Sequence, residues 1–170
     1  YFSEAFVNMI ALLGWNPGTE KEIFSMRDLI AAFDISKVQK GGARFDPEKA
    51  KWFNHKYLVA RSDEKLARLY QKELKEKGII VDDSFVIKIV KLIKERTHFV
   101  SEFWDQSYFF FQAPKQYDAK VVKKRWKEHT PELLSELKKQ LEAIEDFNHD
   151  NMNKVVQDLI EEKEIGMDRS

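Results

Sequence analysis

Lysine and arginine are the side chains of this 170-residue sequence best placed, by number and spacing, to meet a ligand. Between positions 35 and 61 stand Lys37, Lys40, Arg44, Lys49, Lys51, Lys56 and Arg61, against Asp46 and Glu48 alone. Between 115 and 127 stand Lys115, Lys120, Lys123, Lys124, Arg125 and Lys127, against Asp118 alone. From Glu128 onward acidic residues outnumber basic ones twelve to five, so a formal net charge of zero conceals two basic islands and an acidic tail. Ammonium and guanidinium groups in such islands neutralise phosphates, so the pattern fits a polyanion held at two places. Charge alone fits solvated helix faces no less well.

Other chemistries find little support. His55, His98, His129 and His149 show no H-x-x-x-H spacing and no carboxylate partner on the same helical face, so they read as packed or exposed side chains, not ligands. Asn148-His149-Asp150-Asn151 lacks the glycine and distal glutamate of a calcium loop and reads as a helix–helix turn, with Asp150 or Asn151 as cap. Gly41-Gly42 is too short to cradle a nucleotide's phosphates, and neither G-x-x-x-x-G-K-[ST] nor G-x-G-x-x-G occurs. Glu161 and Glu162 sit among charges, with nothing to desolvate them into acid or base roles. With no cysteine, thiolate catalysis, disulfides and zinc–cysteine sites are excluded. No catalytic residue and no metal site is expected in this chain. Trp104, Tyr108 and Trp126 have the π-faces that stack on unpaired bases, although aromatics at helical spacing more often fill cores.

The elements that must carry these residues read as helices. Apolar Phe6, Met9, Ile10 and Leu13 recur at helical spacing behind Ser3 as N-cap, with Gly14 past the end and a turn at Trp15-Asn16-Pro17-Gly18. Ser25-Met26-Arg27-Asp28 is a capping box opening a short helix through Leu29, Ile30 and Phe33. Asp46-Pro47 starts a helix over about 47–59 that puts Ala50, Phe53, Tyr57 and Leu58 on one side. Ser62 and Asp63 open the next, stopped by Gly78, and Asp82 to Ser84 begin another. In that helix Lys88, Lys91 and Lys94 mark a narrow wet strip, which predicts a central buried element. An aromatic run from Phe99 to Phe111 ends at Pro114. A basic helix over about 118–128 follows, then one opened by Thr130-Pro131-Glu132, and a last one through Val155, Val156, Leu159 and Ile160. The fold class is all-α. A hairpin at Ile79–Val81 or Tyr108–Phe111 is the sole candidate for strand.

Composition agrees. Hydrophobic residues at 43% and thirteen Phe supply a core, while six Gly and four Pro are too few for a many-stranded sandwich. No apolar run approaches the ~18 residues of a membrane span, and no secretory signal is visible, so the expected compartment is the cytosol. The chain opens Tyr1-Phe2-Ser3 without an initiator Met, and the expectation is a piece of a longer protein.

Three stretches, in order and spacing, resemble one family. They are Glu4-Ala5-Phe6-Val7-Asn8-Met9-Ile10-Ala11-Leu12-Leu13-Gly14-Trp15, then Glu22-Ile23-Phe24-Ser25, then Gly42 to Leu58 with its F-D-x-x-K-x-x-W-x-N-x-x-Y pattern. Together they resemble the C-terminal half of bacterial glutamyl-tRNA synthetases, closely over about 1–60 and collinearly, though more weakly, beyond. Phe109-Phe110-Phe111 stands where that family has it. The ATP-binding signatures of the family, of His-Ile-Gly-His and Lys-Met-Ser-Lys type, are missing and belong upstream of Tyr1.

The resemblance implies an all-α helical bundle of two subdomains, the anticodon-binding domain of a class I synthetase. Residues 1–60 would end the stem-contact region, 61–114 would form a first helical subdomain, and 115–170 would begin a second, incomplete one. The implied partner is tRNA-Glu, gripped along its inner stem and anticodon arm. Glutamate, ATP and Mg would be bound only by the missing N-terminal half, no cofactor by this fragment, and the enzyme would be monomeric. Candidate stem contacts are Lys40, Arg44, Lys49, Lys51 and Lys56, with Trp52 and Asn54 from the family-like pattern. Candidates nearer the anticodon loop are Lys120, Lys123, Lys124 and Arg125. The competing class is a helical protein-interaction adaptor, which would show no salt-dependent RNA affinity and would expose a contiguous apolar patch.

Overall fold

A computed structural model describes residues 1–163. The chain forms two compact units, Tyr1–Pro114 and a second beginning at Lys115. Nine α-helices and short 3-10 turns account for the regular structure of the described residues; no strand forms there, and one isolated bridge joins Trp15 to Val38. The two candidate hairpins resolve otherwise. Ile79–Val81 is an irregular link between helices, and Tyr108–Phe110 is a 3-10 turn.

In the first unit α1 (Ser3–Gly14) packs on α3 (Pro47–Ala60), with α2 (Met26–Ala32) beside α1. The buried stripe of α1 is Ala5, Asn8 and Met9, one position off the expected one, and Phe6 and Ile10 stay 41% and 49% exposed. The shift is tolerated because Asn8, the polar member, finds hydrogen bonds on every side. Phe2, not Ser3, precedes the helix, and Gly14 is still helical, so neither expected cap forms at α1. Trp15 is buried against Phe24 and Leu29 in a small core of its own, not exposed in a turn.

The remaining helix starts are set by local chemistry. Ser25 Oγ accepts from the Asp28 amide at 3.1 Å, and Asp46 accepts from the amides of Glu48 and Lys49 with Pro47 in the first turn. Ser62 opens α4 (Asp63–Glu76) and Asp82 opens α5 (Asp83–Ile93) in the same manner. Gly78 has φ of +74°, the left-handed geometry that ends α4. Nothing lies within 4 Å of a Cβ added there, so Gly78→Ala meets no clash and loses only the glycine's backbone freedom. The expected loss is about 1–2 kcal/mol, read from the urea midpoint.

The main core joins Leu58 of α3, Leu66, Tyr70 and Leu74 of α4, and Val86, Ile89, Val90 and Ile93 of α5 to Phe103 of α6 (Phe103–Ser107). The α5 helix is thus central, but its wet strip is wider than the lysine spacing suggests: Leu92 is 60% and Phe85 39% exposed. Lys94 leaves the strip to pair with Asp63 at 2.7 Å. Tyr70 is fully buried, its hydroxyl 2.7 Å from Ser107 Oγ. Burial pushes its phenol from 10 up to about 12, the Ser107 bond opposing. Because the folded value exceeds the unfolded one, the neutral phenol's stabilisation is whole below about pH 10 and is lost as pH rises through 12. A difference titration of phenolate absorbance against Tyr70→Phe should therefore place this group at the alkaline end.

The second unit holds α7 (Ala119–Arg125), α8 (Thr130–Glu142) and α9 (His149–Glu162). Asp118 caps α7 through the amides of Lys120 and Val121. Thr130 does not cap α8; its Oγ1 accepts from the Lys127 amide at 2.9 Å and closes the preceding turn instead. Asn148 caps α9 by accepting from the Asn151 amide at 2.9 Å, so the expected helix–helix turn is present but its cap is two residues earlier than Asp150. Leu159 is buried in this unit, and Lys163 bridges α9 to Glu136 of α8 at 3.1 Å.

Candidate nucleic-acid interface

The first basic island is carried by α3 and the irregular stretch before it. Lys40 and Arg44 are exposed on that stretch. On α3, Lys49 and Lys56 lie three residues before and four after Trp52, positions that share one helical face. Their ammonium groups sit 4.4 Å and 5.6 Å from the indole ring, and Trp52 itself is half-buried with its edge against Phe53. Lys49 also contacts Glu22 Oε1 at 2.5 Å, and Lys51 pairs with Glu48 at 2.7 Å. The Glu48 hydrogen bond and charge raise the Lys51 pKa. Among the described residues no carboxylate comes within ion-pair reach of Lys40, Arg44 or Lys56.

Asn54 differs from its neighbours. It is 1% exposed, its Oδ1 accepts from the Phe2 amide at 2.7 Å, and its Nδ2 donates to the His98 carbonyl at 2.5 Å. A side chain so enclosed offers no polar atom to a phosphate; it ties the chain start and the 97–99 segment to α3. His55 extends the tie, its Nδ1 lying 2.7 Å from the Thr97 carbonyl oxygen. His98 does have a carboxylate neighbour, contrary to the sequence expectation: Glu102 Oε2 accepts from its amide at 2.7 Å and lies 3.9 Å from its Nδ1. The pair spans a 3-10 turn, not a regular helix, so no shared helical face reveals it in the sequence.

The second island sits on α7. Lys120, Lys123, Lys124 and Arg125 are all exposed, with the last three in the final turn, where cations suit the negative end of the helix dipole. Of the three candidate stacking rings, Trp104 lies stacked on Phe111 at 14° with Lys77 over it at 4.6 Å. Trp126, directly after α7, is 51% exposed. Tyr108 is half-buried beside Phe109, which is 51% exposed.

Residues 52–169 match the model of the anticodon binding domain family. That match covers well over half of the sequence. The chain belongs to the anticodon-binding-domain family. It is also 53% identical over 167 residues to a glutamate–tRNA ligase of Flavobacterium johnsoniae and 50% identical over 166 residues to one of Christiangramia forsetii. Each alignment covers 98% of this chain and 33% of the relative. A crystal structure of the glutamate–tRNA ligase of Elizabethkingia meningosepticum, in complex with its amino acid, superposes with a TM-score of 0.89 at 42% identity. It too is matched over 98% of this chain and 33% of its own length. The glutamyl-tRNA synthetase resemblance and the all-α expectation are thereby borne out, and the chain spans about a third of the relatives it matches, the anticodon-binding part.

The structure brings together further residues that the sequence did not single out as a site. Asn8, Tyr57, Glu22 and the Glu4–Arg61 pair form the polar seam between α1 and α3, Arg61 reaching Glu4 at 3.1 Å and covering the Phe2 ring. One signal was available in the sequence: Asn8 is the one polar side chain between Ala5 and Leu13, and an amide buried there demands partners. Among the described residues no three His, Asp or Glu side chains converge to hold a metal ion. No helix of the described residues is long and apolar enough to cross a membrane.

Proposed function

We propose that this chain is the tRNA-gripping portion of a cytoplasmic, monomeric glutamate–tRNA ligase. The observation that carries the reading is the anticodon-binding match over 52–169, which takes in the whole exposed cationic face of α7. In this reading Lys40, Arg44, Lys49, Lys51 and Lys56 neutralise phosphates of the inner stem, and Lys120, Lys123, Lys124 and Arg125 neutralise those of the anticodon arm. Such contacts fix register and orientation without reading sequence, and they make affinity fall with salt. Trp126 supplies a π-face beside the second island for an unpaired base. Trp52 aims lysines, and Asn54 holds the surface that bears them. The rest of the protein would bind glutamate, ATP and Mg, with ATP activating the carboxylate; this chain's part is to hold the tRNA while its 3′ end reacts.

The test is a binding comparison with the full-length protein at fixed salt. tRNA-Glu is expected to bind at least tenfold more tightly than a tRNA with an unrelated anticodon. Equal binding of the two would remove anticodon reading from this part of the molecule.

A further inference from the structure

On the reading just given, we propose that Glu22 is an internal counter-ion that withholds Lys49 from indiscriminate polyanion binding. Lys49 is then yielded only to a phosphate that other contacts already hold in place. The first ground is how firmly Glu22 is set. Its carbonyl accepts from Asn8 Nδ2 at 3.0 Å, and two residues on the Phe24 amide donates to Asn8 Oδ1 at 2.8 Å. The Phe24 carbonyl in turn accepts from the Tyr57 hydroxyl at 2.5 Å. Asn8 is fully buried, so α1 and α3 clamp the backbone on both sides of residue 23. A carboxylate on so fixed a backbone loses less freedom on pairing than one on a loose loop.

The second ground is the geometry of its partner. Lys49 Nζ touches Glu22 Oε1 while lying 4.4 Å from the Trp52 ring and 5.5 Å from the Phe53 ring. Its charge is thus paired at a single, defined point, with both side chains a little under half exposed. Lys56 shares the same indole without any carboxylate in reach among the described residues. One tryptophan therefore carries a masked and an unmasked lysine. A loosely placed phosphate that meets Lys49 also meets Glu22 and gains little, whereas one pinned by the rest of an interface can displace the carboxylate. The mask costs affinity for any polyanion and favours the ligand whose shape supplies the other contacts.

The probe is single-stranded polyuridylate, titrated against salt with the full-length protein. Each lysine that engages it should add about 0.7 to the slope of log affinity on log salt. Lys56→Gln is expected to lower that slope and Lys49→Gln to leave it unchanged. Glu22→Gln should raise it by about 0.7, and Lys49→Gln added to Glu22→Gln should return it to the starting value. The return of the slope in the double variant ties the gain to Lys49 itself. In parallel, Lys49→Gln should weaken tRNA-Glu binding several-fold. The proposal is overturned if Lys49→Gln lowers the polyuridylate slope as much as Lys56→Gln does, or if Glu22→Gln leaves it unmoved. If the unaltered protein holds tRNA-Glu no more tightly than polyuridylate, the tRNA reading fails together with it; intact tRNA preference with an unmoved slope sinks Glu22 alone.

Discussion

Asn54→Ala is expected to lower the stability of the first unit by about 2–3 kcal/mol, because it orphans two polar groups at once. The Phe2 amide and the His98 carbonyl both lose their partner, and both approach α3 from segments distant in sequence. Asn54→Asp should do no better: it keeps an acceptor for Phe2 but sets a carboxylate against a carbonyl oxygen in a buried site. Urea unfolding measures the loss. Held well below its transition, the variant should bind tRNA with an unchanged salt slope, since the amide touches only protein. A stability loss under about 0.5 kcal/mol, or a slope reduced by about one, would return Asn54 to the surface contacts.

The second large effect concerns α7. Replacing Lys120, Lys123, Lys124 and Arg125 together by Glu should weaken tRNA binding by the full-length protein at least a hundredfold at physiological salt. The salt slope should fall by about three to four, near one for each phosphate contact removed. Glutamates in the last turn of a helix oppose its dipole, so the variant also loses some helix stability. The corresponding Gln variant separates the two effects. It leaves the helix end without added negative charge and should still lose most of the slope. Retention of both affinity and slope by the Gln variant would remove α7 from the interface.

Helix positions were legible because their signals are local. Asp46-Pro47, Ser62 and Asp82 cap where the sequence places them, and the Gly78 stop has its positive φ. The failures lie where a long-range partner decides. The buried stripe of α1 moved by one position because Asn8 could be satisfied by Glu22, Phe24 and Tyr57, residues 14 or more positions away. Trp15, read as part of a turn, was claimed by Phe24 and Leu29. At the candidate interface, residue types and the helix that bears them could be read directly. Which lysines carry an unmatched charge could not, since the Glu22–Lys49 pair spans 27 positions and the sequence contains no hint of it. The exposed α7 cluster was the easier case, because four cations within six residues cannot all be buried.

The most direct measurement is a hydroxyl-radical footprint of tRNA-Glu on the full-length protein, with and without the α7 substitutions. The expected result is protection of the phosphate backbone along the inner stem and the anticodon arm, with the arm's protection alone lost when Lys120, Lys123, Lys124 and Arg125 are replaced. Protection confined to the acceptor end, or an anticodon arm equally shielded in both proteins, would contradict a role for this chain as the grip on the tRNA.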